Sequence, residues 1–404
     1  MHHFVIKKTY RQIAIISLNS IILVLVCNLL LSVYYNTLWM LDGEDSSQKS
    51  NTTNPIEKKY GGFEDKFKEI YPGYSLKEVR ALLGETWSRK NYMYEVFTQF
   101  RESPFEGRYV NISEHGYRFS RNQGPWPPSP KHYNIFIFGG STTFGYGVAD
   151  GETIPSYLQD KLSEKHKKII SVYNFGRGNY YSSQELILFQ RLILGGLRPD
   201  VAVFLDGIND MYYKNDEPKY TAILKKTFSP DRLKNRLNRE SNFCYGSGRS
   251  IAICHLFRSL NKKPAKIVEE VETEIVIDNS EMTIEESAAL DSTIQTYQNN
   301  KTMIQSISDQ YNIATIFAWQ PSPEYKNPLK YYYFGKNMHS GVHRYSRFGY
   351  QKVAALYKQG KMGRNFVWCA DIQENQTKPL YVDMYHYTSV LSEEIANCIM
   401  SGFE

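Results

Sequence analysis

The chain has little of what marks most specialised classes. A net charge of +6 over 404 residues, with 48 basic residues interspersed among 42 acidic ones, leaves no basic arm and gives no reason to expect a nucleic-acid partner. Internal repeats and low-complexity tracts are missing. Only five cysteines are present, and their spacing fits neither a CxxC redox motif nor a zinc knuckle. His339 and His343 have the i, i+4 spacing of metal ligands, but no glutamate lies between them and Gly341 disfavours a helix. No metal and no cofactor is expected. The glycine-rich stretch Gly139 to Gly147 lacks the Gly-Lys-[Ser/Thr] ending of a nucleotide loop, which argues against a phosphate site.

Long apolar runs are also scarce, and the exception stands at the start. Ile13 to Tyr35 is uncharged, and at about 1.5 Å per residue it reaches about 35 Å, enough for a hydrocarbon layer of about 30 Å. It exceeds a typical signal-peptide core and no A-x-A-like site follows, so an uncleaved single-pass anchor is expected. Lys7, Lys8 and Arg11 precede it and Asp42, Glu44 and Asp45 follow, which places residues 1–12 in the cytosol and the rest outside. Export favours disulfides: among the three ways to pair Cys244, Cys254, Cys369 and Cys398, the local pairs 244–254 and 369–398 are expected.

From residue 36 to about 130 the chain is polar, aromatic and rich in turn residues, and reads as a stalk and lead-in segment. Regular alternation begins after it. Strands are expected at 134–138, 169–175, 200–205 and 313–319, with helices between them. Ser182–Glu185 and Thr283–Glu286 both read as capping boxes. Such alternation predicts an α/β/α sandwich around a parallel sheet over residues 131–404, with an insertion at about 211–282 whose basic stretch reads as a solvated helix face.

In such a sheet, ligands collect beyond the carboxyl ends of the strands. "IFIFGGSTTFGYG" puts Ser141 just past one end, "NFGRGN" follows the next, and "DGIND" follows a third. Near the C-terminus "YVDMYHYTS" places Asp383 three residues before His386, ahead of a helix with Leu391, Ile395 and Ile399 on one face. Acyl transfer needs these types of group: a serine, a histidine to take its proton, a carboxylate to orient the histidine, and donors for the oxyanion. The Ser141 N–H, a glycine-loop N–H and the Asn209 side chain are available as donors.

These blocks resemble the SGNH (GDSL-type) serine hydrolases. "GGSTTFG", "NFGRGNYYSSQEL", Gly207 to Asp210 and Asp383 to His386 match that family's four blocks in order, over about residues 131–404. The resemblance implies a flavodoxin-like sandwich with Ser141 as nucleophile, His386 as base, Asp383 as its partner and Asn209 as an oxyanion donor. Thr142 stands where many members have aspartate. In the second block, either Gly178 or Asn179 supplies the remaining oxyanion N–H. The implied activity is hydrolysis of oxygen or thio esters on a lipid or an O-acylated glycan. Two alternatives stay open: an O-acyltransferase with the same triad acting on a cell-surface polysaccharide, and a non-catalytic glycan-binding module.

Overall fold

A computed structural model of the chain describes residues 2–45, 64–88, 92–212, 216–227, 282–334 and 344–403. Cys244, Cys254, His339, His343 and most of the basic stretch lie outside them. The chain divides into two compact units, and residues 54–220 with 274–404 form the unit that holds the sheet. The other unit contains helix α1, His2–Asp45. Within α1, Tyr10–Tyr34 is long and apolar enough to cross a membrane, and none of it is buried by the protein itself.

After a short helical turn at Phe67–Ile70, the sheet unit has helix α2, Leu76–Trp87, and the hairpin of β1, Tyr92–Glu95, with β2, Gln99–Glu102. A second pair, β3 (Phe105–Glu106) and β4 (Asn111–Ile112), follows. Then come β5 (Tyr133–Gly139), α3 (Ser141–Phe144), α4 (Ile154–Lys165), β6 (Ile170–Gly176) and α5 (Ser182–Leu194). The unit continues through β7 (Val201–Asp206), α6 (Ile208–Tyr212), α7 (Ile284–Tyr311) and β8 (Ala314–Trp319). It ends with α8 (Arg344–Lys358), β9 (Phe366–Trp368) and α9 (Ser389–Met400).

Five parallel strands run in the order β6-β5-β7-β8-β9. This is the 2-1-3-4-5 order of flavodoxin-like folds, whose switch point lies between the first and third strands, here β5 and β7. The strands are almost continuous apolar runs because helices cover both faces: α4 packs with α9, and α5 with α7. Phe175, Phe138, Phe204 and Phe317 lie in register on β6, β5, β7 and β8, and their rings stack at 5.6, 4.8 and 5.3 Å. This ladder sits one or a few residues before the strand ends, so the loops beyond it leave the sheet at one level.

Residues 64–130 depart from the expected stalk. Phe67, Ile70, Val79, Leu82 and Leu83 are buried in the same core as the sheet strands. Arg118, fully enclosed, pairs with Asp150 at 2.7 Å, and its backbone N–H bonds Asn174 O at 2.9 Å beside β6. The polar composition misled because several of its charged groups are buried with partners rather than solvated.

The two capping boxes also part ways. Thr283 and Glu286 form one as expected. At α5 the cap is Tyr181, because the Ser182 N–H that a Glu185 side chain would have taken is bonded instead by Asp210 Oδ1 at 3.2 Å. Glu185 is buried.

Candidate active site

β5 ends in Gly139, Gly140 caps α3, and Ser141 is the first residue of that short helix. A side chain at 140 would put its Cβ 2.4 Å from Asn209 Nδ2, so only glycine lets the first and third blocks meet. At 176, a Cβ would lie 2.3 Å from the Phe144 N–H, which ties the second block to the same turn. Asn174 Nδ2 donates to the carbonyls of Thr143 and Phe144 at 3.1 and 3.3 Å, while Arg118 donates to those of Phe144, Gly145 and Val148. The turn carrying Ser141 is thus held by its backbone from two sides.

Asp383 and His386 sit on a loop closed at its neck. Val382 N bonds His386 O at 2.8 Å, Thr388 N bonds Leu380 O at 2.9 Å, and Thr388 then caps α9. A disulfide joins Cys369, just after β9, to Cys398 in α9, enclosing this loop. Inside it, the Asp383 carboxylate accepts from the N–H groups of Tyr385 and His386 at 2.9 Å and from His386 Nδ1 at 2.7 Å. His386 Nε2 lies 2.8 Å from Ser141 Oγ. Asp383 is 3% exposed and His386 8%, so the carboxylate has these donors in place of water. The imidazole ring is flanked by Trp87 at 5.4 Å and Tyr146 at 5.3 Å.

A cavity of about 230 Å³ opens beside Ser141 and His386. Asn179 and Asn209 line it, with Ile208, Tyr212, Gln320 and Tyr385. Asn209 Nδ2 donates one hydrogen to Tyr180 O at 2.7 Å, which orients the amide. Asn179 has a left-handed φ of 64°. The N–H of Gly178, the other candidate donor of the second block, is taken by Glu102 Oε1 at 2.8 Å. Gln320 was not anticipated. Its Oε1 accepts from Thr142 at 2.6 Å and from Tyr387 at 2.8 Å, joining the Ser141 turn to the residue after His386. Its place just past β8 was the available signal. For Trp87, Glu102 and Tyr146 no sequence signal existed.

Beneath the third block lie three buried carboxyls. Burial, then the charges of Asp206 and Asp210, push Glu185 well above the usual range. Asp206 is likewise pushed well up by burial and by Asp210, and Asp210 is raised by burial. Asp210 Oδ2 accepts the Gly207 N–H at 3.1 Å, so the same residue fixes the turn before Asn209 and the start of α5.

The model of the GDSL-like lipase/acylhydrolase family matches residues 137–343, half of the chain. The chain belongs to this family. Its sheet order and its first three motif blocks are those of a GDSL hydrolase, an enzyme acting on ester bonds, and the match stops short of Asp383 and His386. Among solved structures, it is similar to an acetyl xylan esterase from Geobacillus stearothermophilus at 11% identity and a TM-score of 0.34, over 67% of this chain and 94% of that one. A GDSL-like lipase from Bacteroides thetaiotaomicron VPI-5482 shows 13% identity and a TM-score of 0.31, over 68% and 89%. A lipase from a goat rumen metagenome shows 10% and 0.38, over 67% and 96%. No curated protein matches the chain.

Proposed function

We propose that this GDSL enzyme is a Ser-His-Asp esterase, exported and held at a membrane by α1, that cleaves short acyl groups from oxygen or thio esters. The observation that carries the reading is the unbroken chain from Asp383 through His386 to Ser141, with links of 2.7 and 2.8 Å. His386 Nε2 takes the Ser141 proton as Oγ attacks the ester carbonyl, and Asp383 stabilises the imidazolium that forms. The oxyanion receives the N–H groups of Ser141 and Asn179 and the free hydrogen of Asn209 Nδ2. His386 then gives its proton to the departing alcohol or thiol. Water attacks the acyl-serine with the same proton path in reverse, releasing the acid.

The cavity supports a short acyl group: about 230 Å³ is below the roughly 300–1,000 Å³ of sites that enclose drug-sized ligands. The paired Cys369 and Cys398 and the basic residues ahead of the apolar helix support an extracytoplasmic site. The test is turnover of p-nitrophenyl acetate and O-acetylated xylan by the full chain and by Ser141→Ala, with free acid and acylated acceptor measured separately. Acid release by the parent, lost in Ser141→Ala, is expected. Acylated acceptor as the dominant product would make the enzyme a transferase.

A further inference from the structure

The β1–β2 hairpin is bonded to the loop after β6 almost residue by residue. Arg177 pairs with Glu95, Gly178 N–H donates to Glu102 Oε1 at 2.8 Å, and Asn179 Nδ2 donates to Tyr92 Oη at 3.1 Å. Tyr180 Oη donates to Phe100 O, and Gln184 Nε2 to Thr98 O at 2.9 Å. Glu102 Oε1 also accepts from Tyr146 Oη at 2.7 Å, and Tyr146 packs against His386. A Cβ at 178 would lie 2.3 Å from Tyr92 Oη and 2.7 Å from Tyr146 Oη, so the hairpin closes directly on the loop backbone.

We propose that Glu102 is a positioning residue for the oxyanion donor at Asn179, and that the segment before the catalytic sheet thereby completes the active site. Asn179 must hold a left-handed backbone, a conformation that costs energy for any residue with a side chain although asparagine bears it better than most. Its neighbour Gly178 could relax that peptide by turning. By taking the Gly178 N–H, the Glu102 carboxylate pins the Arg177–Gly178 peptide and so restrains turning at Gly178 from one side, while Tyr92 Oη holds the Asn179 side chain on the other. The Asn179 N–H is then left to face the space that Ser141 and Asn209 line. Glu102 touches no reacting atom, is 3% exposed, and acts as a hydrogen-bond acceptor in a fixed place.

This inference rests on the reading of Ser141 as nucleophile, so Ser141→Ala is measured beside it. The full chain in detergent is assayed with p-nitrophenyl acetate and inhibited with phenylboronic acid, which forms a tetrahedral adduct on an activated serine. Glu102→Ala is expected to lower kcat by about 10 to 10²-fold, the usual cost of misplacing a group near the reacting atoms, and to weaken boronate inhibition by a similar factor with KM nearly unchanged. Glu102→Asp, which keeps the charge but withdraws the acceptor from Gly178, should lose about tenfold; Glu102→Gln, which restores the acceptor without the charge, should come within about threefold of the parent. If Glu102→Ala fails to fold, the Asp and Gln pair carries the test. Asp and Gln variants both as fast as the parent, or a loss confined to KM, overturns the positioning role alone when Ser141→Ala is inactive. Parental turnover by Ser141→Ala overturns both readings.

Discussion

The groups around the cavity come from two regions built on different principles. Ser141 and Asn209 stand in the first turns of short helices and Asn179 on a loop, all just past parallel strands, and His386 stands on a loop tied at its neck to α9. None lies far from a backbone anchor, and the side chains of Asn174 and Arg118 hold the Ser141 turn by its carbonyls. Trp87, Tyr92 and Glu102 come instead from the helix and hairpin ahead of the sheet, and reach the site only through tertiary packing. On the proposed mechanism the first region supplies every reacting group, and the second supplies walls and the hydrogen-bond acceptors that hold the loop after β6. Damage to the first should appear in turnover, and damage to the second in stability or in the geometry of the transition state.

The largest expected effect is on the first region. His386→Ala should lower kcat by about 10⁵ to 10⁶, nearly as much as loss of the serine, because the two act as a unit. Its melting temperature should stay near the parent's; a collapse of folding would deny that this loop is chemically rather than structurally important. Asn209→Ala should cost about 10² to 10³ in kcat with the serine still reactive, the usual effect of losing one oxyanion donor.

Leu83→Ala probes the other region. Leu83 is fully enclosed in α2, so urea unfolding should show a loss of about 2–5 kcal/mol, with kcat per folded molecule unchanged. A fall in kcat of tenfold or more would show that the lead-in does more than support.

The smallest effect is a pH slope. Glu324, in the loop after β8, has its carboxyl pushed up to about 8 by burial, from an ordinary value of 4.5. The folded protein therefore holds this proton more tightly than the unfolded chain. Its stabilising contribution is complete below pH 4.5 and is lost as pH rises through about 8. Glu324→Gln should flatten that part of the stability curve, measured by urea unfolding between pH 5 and 9 in steps of about one unit. An unchanged slope would mean that Glu324 does not titrate there.

The two regions also differed in how far the sequence revealed them. Apolar runs bounded by turn residues reported β5, β6, β7 and β8 to within a residue or so, because strands covered on both faces leave no other reading. β9 was missed, since three residues are too short to leave a pattern. The candidate catalytic residues stood out because loop chemistry is local: Ser141 follows its strand directly, and Asp383 is three residues from His386. Glu102 is bonded to Gly178 across 76 residues of sequence, and no periodicity encodes such a contact. Ser182–Glu185 shows the same limit from the other side. The local motif was sound, but Asp210, from a different strand end, took the N–H that the motif needed.

The central claim is that Ser141 is the activated nucleophile. The most direct measurement is peptide mass mapping of the full chain after treatment with a fluorophosphonate, which reacts with activated serines and spares ordinary ones. The account predicts one adduct, on the peptide containing Ser141, absent from Ser141→Ala and strongly reduced in His386→Ala. An adduct on any other residue, or labelling that persists in folded Ser141→Ala, would contradict it.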